Sequence, residues 1–263
     1  MSRTPIAVLA LATFAFSAFA QKPQIAPIAN PLQLKPLAFS TGGRALTSPG
    51  SDPRFGGHDF TYQWPGTYFE AAFSGPQVCS NIGKGKVILH VIVDHQPPIV
   101  LAQPAPGIQC ASGLANAPHT IRIDDATESQ DAPNVFDGFG ITLNEKPLAP
   151  PHRTRQIEFI GDSHTVGYGD TSPTRDCTAK TVWATTDTSQ AFGPLVAQHY
   201  NADDQINAIS GHGIVRNYNG SPGDPVPVAW PWVLFDKKNL YNDPTWHPEI
   251  IVIALGTNDF STP

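Results

Sequence analysis

Two apolar runs, each ending in a short polar block, constrain most tightly what this chain of 263 residues can fold into. The first is Ile157-Glu158-Phe159-Ile160, which runs into Gly161-Asp162-Ser163-His164-Thr165-Val166-Gly167-Tyr168-Gly169. The second is Ile250-Ile251-Val252-Ile253-Ala254-Leu255, which runs into Gly256-Thr257-Asn258-Asp259. Short apolar runs bounded by glycine read as buried strands. Open α/β sheets build their sites beyond the C-terminal ends of such strands. The two blocks therefore predict one sheet edge at which Ser163 and Asn258 come together.

The sequence between them fits that sheet. The spacing predicts a helix over Thr188 to His199, capped by Thr188 or Ser189, with Phe192, Leu195, Val196 and Tyr200 on one face. A strand is expected over Gln205 to Ile209. A second helix is expected over Trp230 to Leu240, with Pro231 tolerated in its first turn. The result is βαβαβ, about half of a doubly wound sheet. A complete domain of this kind would add at least one more strand and two helices, so residues 157–263 are expected to lack their C-terminal part.

The N-terminal half has a different period. Residues 21–53 carry six prolines (Pro23, Pro27, Pro31, Pro36, Pro49 and Pro53) and no clear repeat, and read as a leader with extended pieces, Phe39 to Arg44 among them. Over residues 54–145 short alternating or β-branched runs follow one another: Phe60 to Trp64, Thr67 to Phe73, Lys86 to Asp94, Pro97 to Leu101, His119 to Asp124 and Val135 to Leu143. Gly/Pro turns separate them, a pattern of sandwiches and jelly rolls. Residues 146–156, with Pro147, Pro150 and Pro151, read as a linker.

Residues 1–20 have the physics of a secretion signal: Arg3, an apolar run from Ile6 to Phe16, then Ala18-Phe19-Ala20 as a cleavage site. That run is shorter than the roughly 18 residues that read as a membrane span. The mature protein is expected to be secreted or periplasmic, with no membrane partner. Net charge is −6, and −7 without the first twenty residues, since Arg3 is their only charged residue. No basic cluster occurs, which argues against nucleic acid as a partner. Of three cysteines, Cys79 and Cys110 could pair in the N-terminal half. Cys177 would then be a free thiol, or have its partner in sequence not present.

Ser163 follows a strand at a tight turn, near the amides of the next turn, which suits a nucleophile that a base must activate. Asp162 has the simpler reading of a carboxylate that accepts backbone amides and fixes the loop. The Asn258 side chain can donate to the oxyanion of a tetrahedral intermediate, or close an Asx turn. Asp259 reads as structural. None of the nine histidines suits the role of base. His164 adjoins the serine and should point away. His212 would line the cleft, His247 falls at the wrong end of the sheet, and His90 and His95 face opposite sides of a strand.

Gly-Asp-Ser followed by x-Thr-x-Gly-Tyr-Gly, with Gly-Thr-Asn-Asp downstream, resembles the SGNH/GDSL hydrolases. Trp64-Pro65-Gly66-Thr67-Tyr68-Phe69-Glu70, Gly167-Tyr168-Gly169 and Arg216-Asn217-Tyr218 are similar to carbohydrate esterase family 2. The resemblance implies a jelly-roll β-sandwich followed by a flavodoxin-like α/β domain, here partial. It implies a deacetylase acting on xylan or a related polysaccharide, without metal or organic cofactor. By the same resemblance Ser163 is the nucleophile, Asn258 and the Gly211 amide hold the oxyanion, and Gly213 is the fallback for Gly211. The family's base lies in an Asp-x-x-His block, a spacing that does not occur after Ser163, so the base is expected outside this chain. A monomer is expected. Two other readings stand beside this one: a carbohydrate-binding protein with an incomplete hydrolase half, and an esterase for another short acyl group.

Overall fold

The computed structural model describes residues 23–27, 33–130 and 132–261. The expected signal peptide lies outside them.

The N-terminal half begins with β1 (Gln24–Pro27), β2 (Leu34–Leu37), β3 (Phe39–Gly42) and β4 (Ala45–Pro49). Then come β5 (His58–Tyr62), β6 (Tyr68–Ser74), β7 (Gln77–Ile82), β8 (Ile88–Val93) and β9 (Ile99–Ala102). The last are β10 (Gly107–Ser112), β11 (Pro118–Asp125), β12 (Asn134–Thr142) and β13 (Lys146–Leu148). They form two antiparallel sheets. One has the order β1-β10-β7-β12-β5-β4 with β2 also on β12; the other has the order β13-β6-β11-β8-β9 with β3 on β6. Their inner faces share one core, in which Phe69, Leu89 and Ile121 of one sheet meet Val78, Phe136 and Phe139 of the other. Phe39 stands edge-on to Phe60, Phe69, Phe136 and Phe139 at centroid distances of 5.0–5.9 Å, and Phe69 stacks on Phe136 at 4.3 Å. Cys79 and Cys110 lie opposite each other on β7 and β10 and are disulfide-bonded. Cys177 has no disulfide partner among the described residues.

Residues 21–53 are therefore more than a leader: four strands from this segment join the two sheets. Proline hid them. Pro27, Pro36 and Pro49 sit inside or at the ends of strands at the sheet margins, where a missing N–H is tolerated. The expected linker likewise contributes β13 at its start, and the next strand begins within it.

The C-terminal half contains β14 (Arg155–Gly161), α1 (Ser163–Val166), α2 (Ala179–Thr185), α3 (Phe192–His199), β15 (Ala202–Ala208), α4 (Val226–Ala229) and β16 (Ile250–Ala254). The sheet is parallel with the order β15-β14-β16, so the first strand lies between the other two. This is the 2-1-3 start of a flavodoxin-like sheet, with its switch point between the first and third strands.

Two helices differ from expectation. A 3₁₀ turn occupies Thr188–Gln190, and α3 starts only at Phe192. The side chains expected to share one apolar face, Phe192, Leu195, Val196 and Tyr200, are 37–52% exposed, while Gly193 and Ala197 are buried. A Cβ at Gly193 would lie 2.9 Å from Ile206 and 3.1 Å from Phe159, so α3 rides on the sheet at a distance only glycine permits. The expected helix over Trp230 to Leu240 does not form: α4 ends at Ala229, and an irregular loop follows it. Trp230 and Trp232 give their carbonyls to Arg44, and Trp232 also accepts from Trp64 Nε1 at 3.0 Å. These side-chain donors satisfy the Trp230 and Trp232 carbonyls without a helical ladder.

The two halves meet along the outer face of β6 and around Arg44. Tyr68 Oη donates to Asp203 at 2.6 Å, and Arg153 bridges Glu70 (2.8 Å) and Asp203 (3.0 Å). Arg44, buried after β3, donates to Glu158 and to Gln205 Oε1, each at 3.2 Å. Its guanidinium lies over the rings of Trp64, Trp230 and Tyr241 at 5.5, 5.4 and 4.4 Å. Burial lowers the Arg44 pKa to about 10 despite the opposing attraction of Glu158.

Replacing Arg44 with methionine leaves the Glu158 carboxylate buried without its cation. The expected loss is about 3–5 kcal/mol of unfolding free energy, read as a lower denaturation midpoint. Unchanged stability would show that the pair does not hold the halves together.

Candidate active site

Ser163 is the first residue of α1, directly after the central strand. Asp162 caps this helix: it is buried, and its Oδ1 accepts from the amide of His164 at 3.1 Å. The His164 ring turns to the same oxygen at 3.2 Å, with 74% of its side chain exposed. The Ser163 amide, at an open helix N-terminus, donates to no group among the described residues.

The second wall is the loop after β15. Ile209 donates to the Gly161 carbonyl at 3.2 Å, fastening this loop to the turn that carries Ser163. Gly211 has φ +80°, a left-handed conformation that glycine adopts without strain, and open space where a Cβ would be. Its carbonyl accepts from Tyr218 at 2.8 Å, while its amide has no partner among the described residues. Gly213 differs, because its amide donates to Asn217 Oδ1 at 3.2 Å. Of the two glycines, only Gly211 has an amide free for a ligand. His212 directs Nδ1 to the Asp224 carbonyl at 2.7 Å.

Asn258 and Asp259 follow β16 and reach across to this loop. Asn258 is buried and donates through Nδ2 to the His212 carbonyl at 2.8 Å, leaving its second N–H for another acceptor. Asp259 gathers three successive amides, Ile214 (2.9 Å), Val215 (2.7 Å) and Arg216 (3.0 Å). These bonds hold its carboxyl below the usual range. Ser163, Gly211 and Asn258 thus sit on three loops at one end of the sheet, linked by hydrogen bonds between the loops. No described histidine is hydrogen-bonded to Ser163.

The sandwich adds a residue that sequence reasoning missed. Glu128, in the loop between β11 and β12, accepts from the Ser210 amide at 3.0 Å through Oε2. A cavity of ≈ 250 Å³ opens beside it, lined by Gln130, His212, Asp224 and Phe235 among others. A larger one, ≈ 300 Å³, lies between Arg122 and Arg153 of the sandwich side and Gln198 and Asp204, near the start of β15 and away from Ser163. Burial raises the pKa of Asp204 to about 6 there.

Residues 42–151 match the model of the carbohydrate esterase 2 N-terminal domain. The chain is 46% identical over 230 residues to an acetylxylan esterase / glucomannan deacetylase of Cellvibrio japonicus, covering 87% of this chain and 63% of that protein. A solved carbohydrate esterase, described as having an active site with divergent catalytic and non-catalytic binding functions, superposes with a TM-score of 0.79 at 44% identity over 87% of this chain and 67% of its own. The chain belongs to carbohydrate esterase family 2. A second solved family 2 enzyme, from Clostridium thermocellum in complex with cellohexaose, superposes with a TM-score of 0.73 at 30% identity, over 86% and 68% of the two chains. This family 2 chain thus spans just under two thirds of the curated relative's length.

The three amides hold the Asp259 carboxyl below its ordinary range. A carboxyl whose folded pKa lies below its unfolded value stabilises the fold above the unfolded pKa. That contribution is lost as pH falls through the folded pKa. The amide resonances of Ile214, Val215 and Arg216 are therefore expected to titrate together with a midpoint below about 3.9, followed by NMR. A midpoint above that value would show that the three bonds do not favour the carboxylate.

Proposed function

We propose that this protein is an exported serine esterase that removes O-acetyl groups from a plant polysaccharide such as xylan or glucomannan. The observation that carries the reading is the meeting of three loops: Ser163 with its free amide, Gly211 with its free amide, and Asn258 with one uncommitted side-chain N–H. Ser163 Oγ attacks the acetyl carbonyl as a base accepts its proton. The two amides and the Asn258 side chain stabilise the oxyanion that forms. Collapse of the tetrahedral intermediate expels the sugar alcohol, and water then releases acetate from the acyl-serine. The resemblance of its first twenty residues to a secretion signal supports export. Its similarity to an acetylxylan esterase / glucomannan deacetylase supports the substrate class.

The carbohydrate-binding alternative would use exposed tryptophans on the sandwich. Trp64 is the only tryptophan of that half, and it is 1% exposed, packed against Ile209, Ala229 and Phe235 at the junction. This weighs against it.

In the full-length protein, Ser163→Ala is expected to abolish release of acetate from acetylated xylan. Asn258→Ala is expected to lower kcat about 10²–10³-fold, the usual effect of deleting one oxyanion donor. A series of 4-nitrophenyl esters should show preference for acetate over longer acyl chains. Full activity of Ser163→Ala would overturn the nucleophile, and preference for long chains would overturn the substrate class.

A further inference from the structure

The Gly211 amide belongs to the Ser210–Gly211 peptide, and the sandwich grips that peptide from outside the α/β half. Ser210 donates its N–H to Glu128 Oε2 at 3.0 Å. Gln130 Nε2 donates to the same carboxylate oxygen at 2.6 Å and makes a longer contact of 3.4 Å with the Ser210 carbonyl. That carbonyl is the other end of the peptide unit whose N–H is the free Gly211 amide. A peptide unit is planar, so fixing its carbonyl and the preceding amide fixes the direction of its N–H. A donor on the carbonyl also polarises the N–H of the same unit.

The loop carrying Glu128 can bear this load because it is itself anchored. Thr127 donates its amide to Asp125 Oδ1 at 3.1 Å, and the Ser129 carbonyl accepts from Gln63 Nε2 at 2.9 Å. Asn134 Nδ2 donates to Ser129 Oγ and to Asp125 Oδ2. Ala126, beside them, accepts from Thr188 of the α/β half at 2.9 Å. Within its own half the peptide is the middle of a turn closed by the His212 amide on the Ile209 carbonyl at 3.2 Å, with Gly211 lacking a side chain to anchor it further, so Glu128 and Gln130 add the only side-chain hold on it among the described residues. Burial raises the Glu128 pKa, while the bonds from Ser210 and Gln130 oppose that shift.

We propose that Glu128 is a positioning residue for deacetylation: it holds the Ser210–Gly211 peptide, with Gln130 assisting, so that the Gly211 amide meets the oxyanion. This rests on the esterase reading and on Gly211 as an oxyanion donor. It makes the sandwich a working part of the active centre.

The test uses the full-length protein with Glu128→Ala, Glu128→Gln and Gln130→Ala. It reads kcat and KM on 4-nitrophenyl acetate, and the Gly211 amide resonance after selective ¹⁵N-glycine labelling. Glu128→Ala should lower kcat about 10–100-fold with KM changed less than about twofold, as for a displaced catalytic group. Glu128→Gln keeps an oxygen to accept from Ser210 and should retain kcat within about threefold. Gln130→Ala should fall between the two. The Gly211 resonance should move in Glu128→Ala and hold its place in Glu128→Gln. Wild-type kcat in Glu128→Ala, or equal losses of kcat and melting temperature in the alanine and glutamine variants, would overturn the proposal. Should the parent protein turn over no acetyl ester, the esterase reading fails. The Gly211 resonance then decides the positioning alone: a shift in Glu128→Ala upholds it and an unmoved resonance ends it.

Discussion

Arg44 has to be satisfied without water, and much of the molecule is arranged around that requirement. Its partners come from every part of the α/β half: Glu158 on the central strand, Gln205 on β15, and the carbonyls of Trp230 and Trp232. Three aromatic rings supply further attraction for a cation held away from solvent. Glu158 in turn accepts from Asn207 at 2.6 Å and Trp230 Nε1 at 2.7 Å. A buried ion pair of this kind need not raise stability over an apolar pair of the same shape. Its effect here is positional, because a side chain from the sandwich fixes the strand that leads to Ser163.

From that strand the order spreads to the site. The Gly161 carbonyl takes the Ile209 amide, the His212 carbonyl takes Asn258, and Asp259 takes three amides of the turn over residues 214–216. Each link joins the end of one strand to the loop after another. Donors for an oxyanion are effective when they are already aimed before the substrate arrives, since little then has to move during reaction. In the proposed mechanism, the hydrogen bonds among these three loops would provide that aim.

What the sequence made legible follows from range. Ser163 and Asn258 could be found because each closes a short apolar strand beside glycine, a pattern contained within about a dozen residues. The βαβαβ succession and the sandwich class followed from short apolar, alternating and β-branched runs, whereas the order β15-β14-β16 came from the structure. Interactions across long stretches of chain were not legible. Glu128 meets Ser210 from 82 residues away, and Arg44 meets Glu158 from 114. Nothing near Glu128 in sequence marks it as different from any other loop carboxylate. Contacts of the same range stand where a helix was expected over Trp230 to Leu240: the Trp230 and Trp232 carbonyls accept from Arg44 and Trp64 of the other half. Gly193 shows a related limit: helical periodicity weighs side chains, whereas close approach to the sheet depends on the lack of one.

Strand β6 is buried on both faces. Phe69, Ala71 and Phe73 pack into the sandwich core, while Tyr68 and Glu70 on the opposite face meet Asp203 and Arg153. A sandwich joined by a flexible tether could be exchanged among proteins without cost, since its outer faces would suit water. This one carries a buried acid, Glu70, and a phenol, Tyr68, that are matched to its present neighbour. Its engineering is thereby constrained: a transplanted sandwich would bring its buried partners with it, so the two halves move as one cassette with the seam left intact.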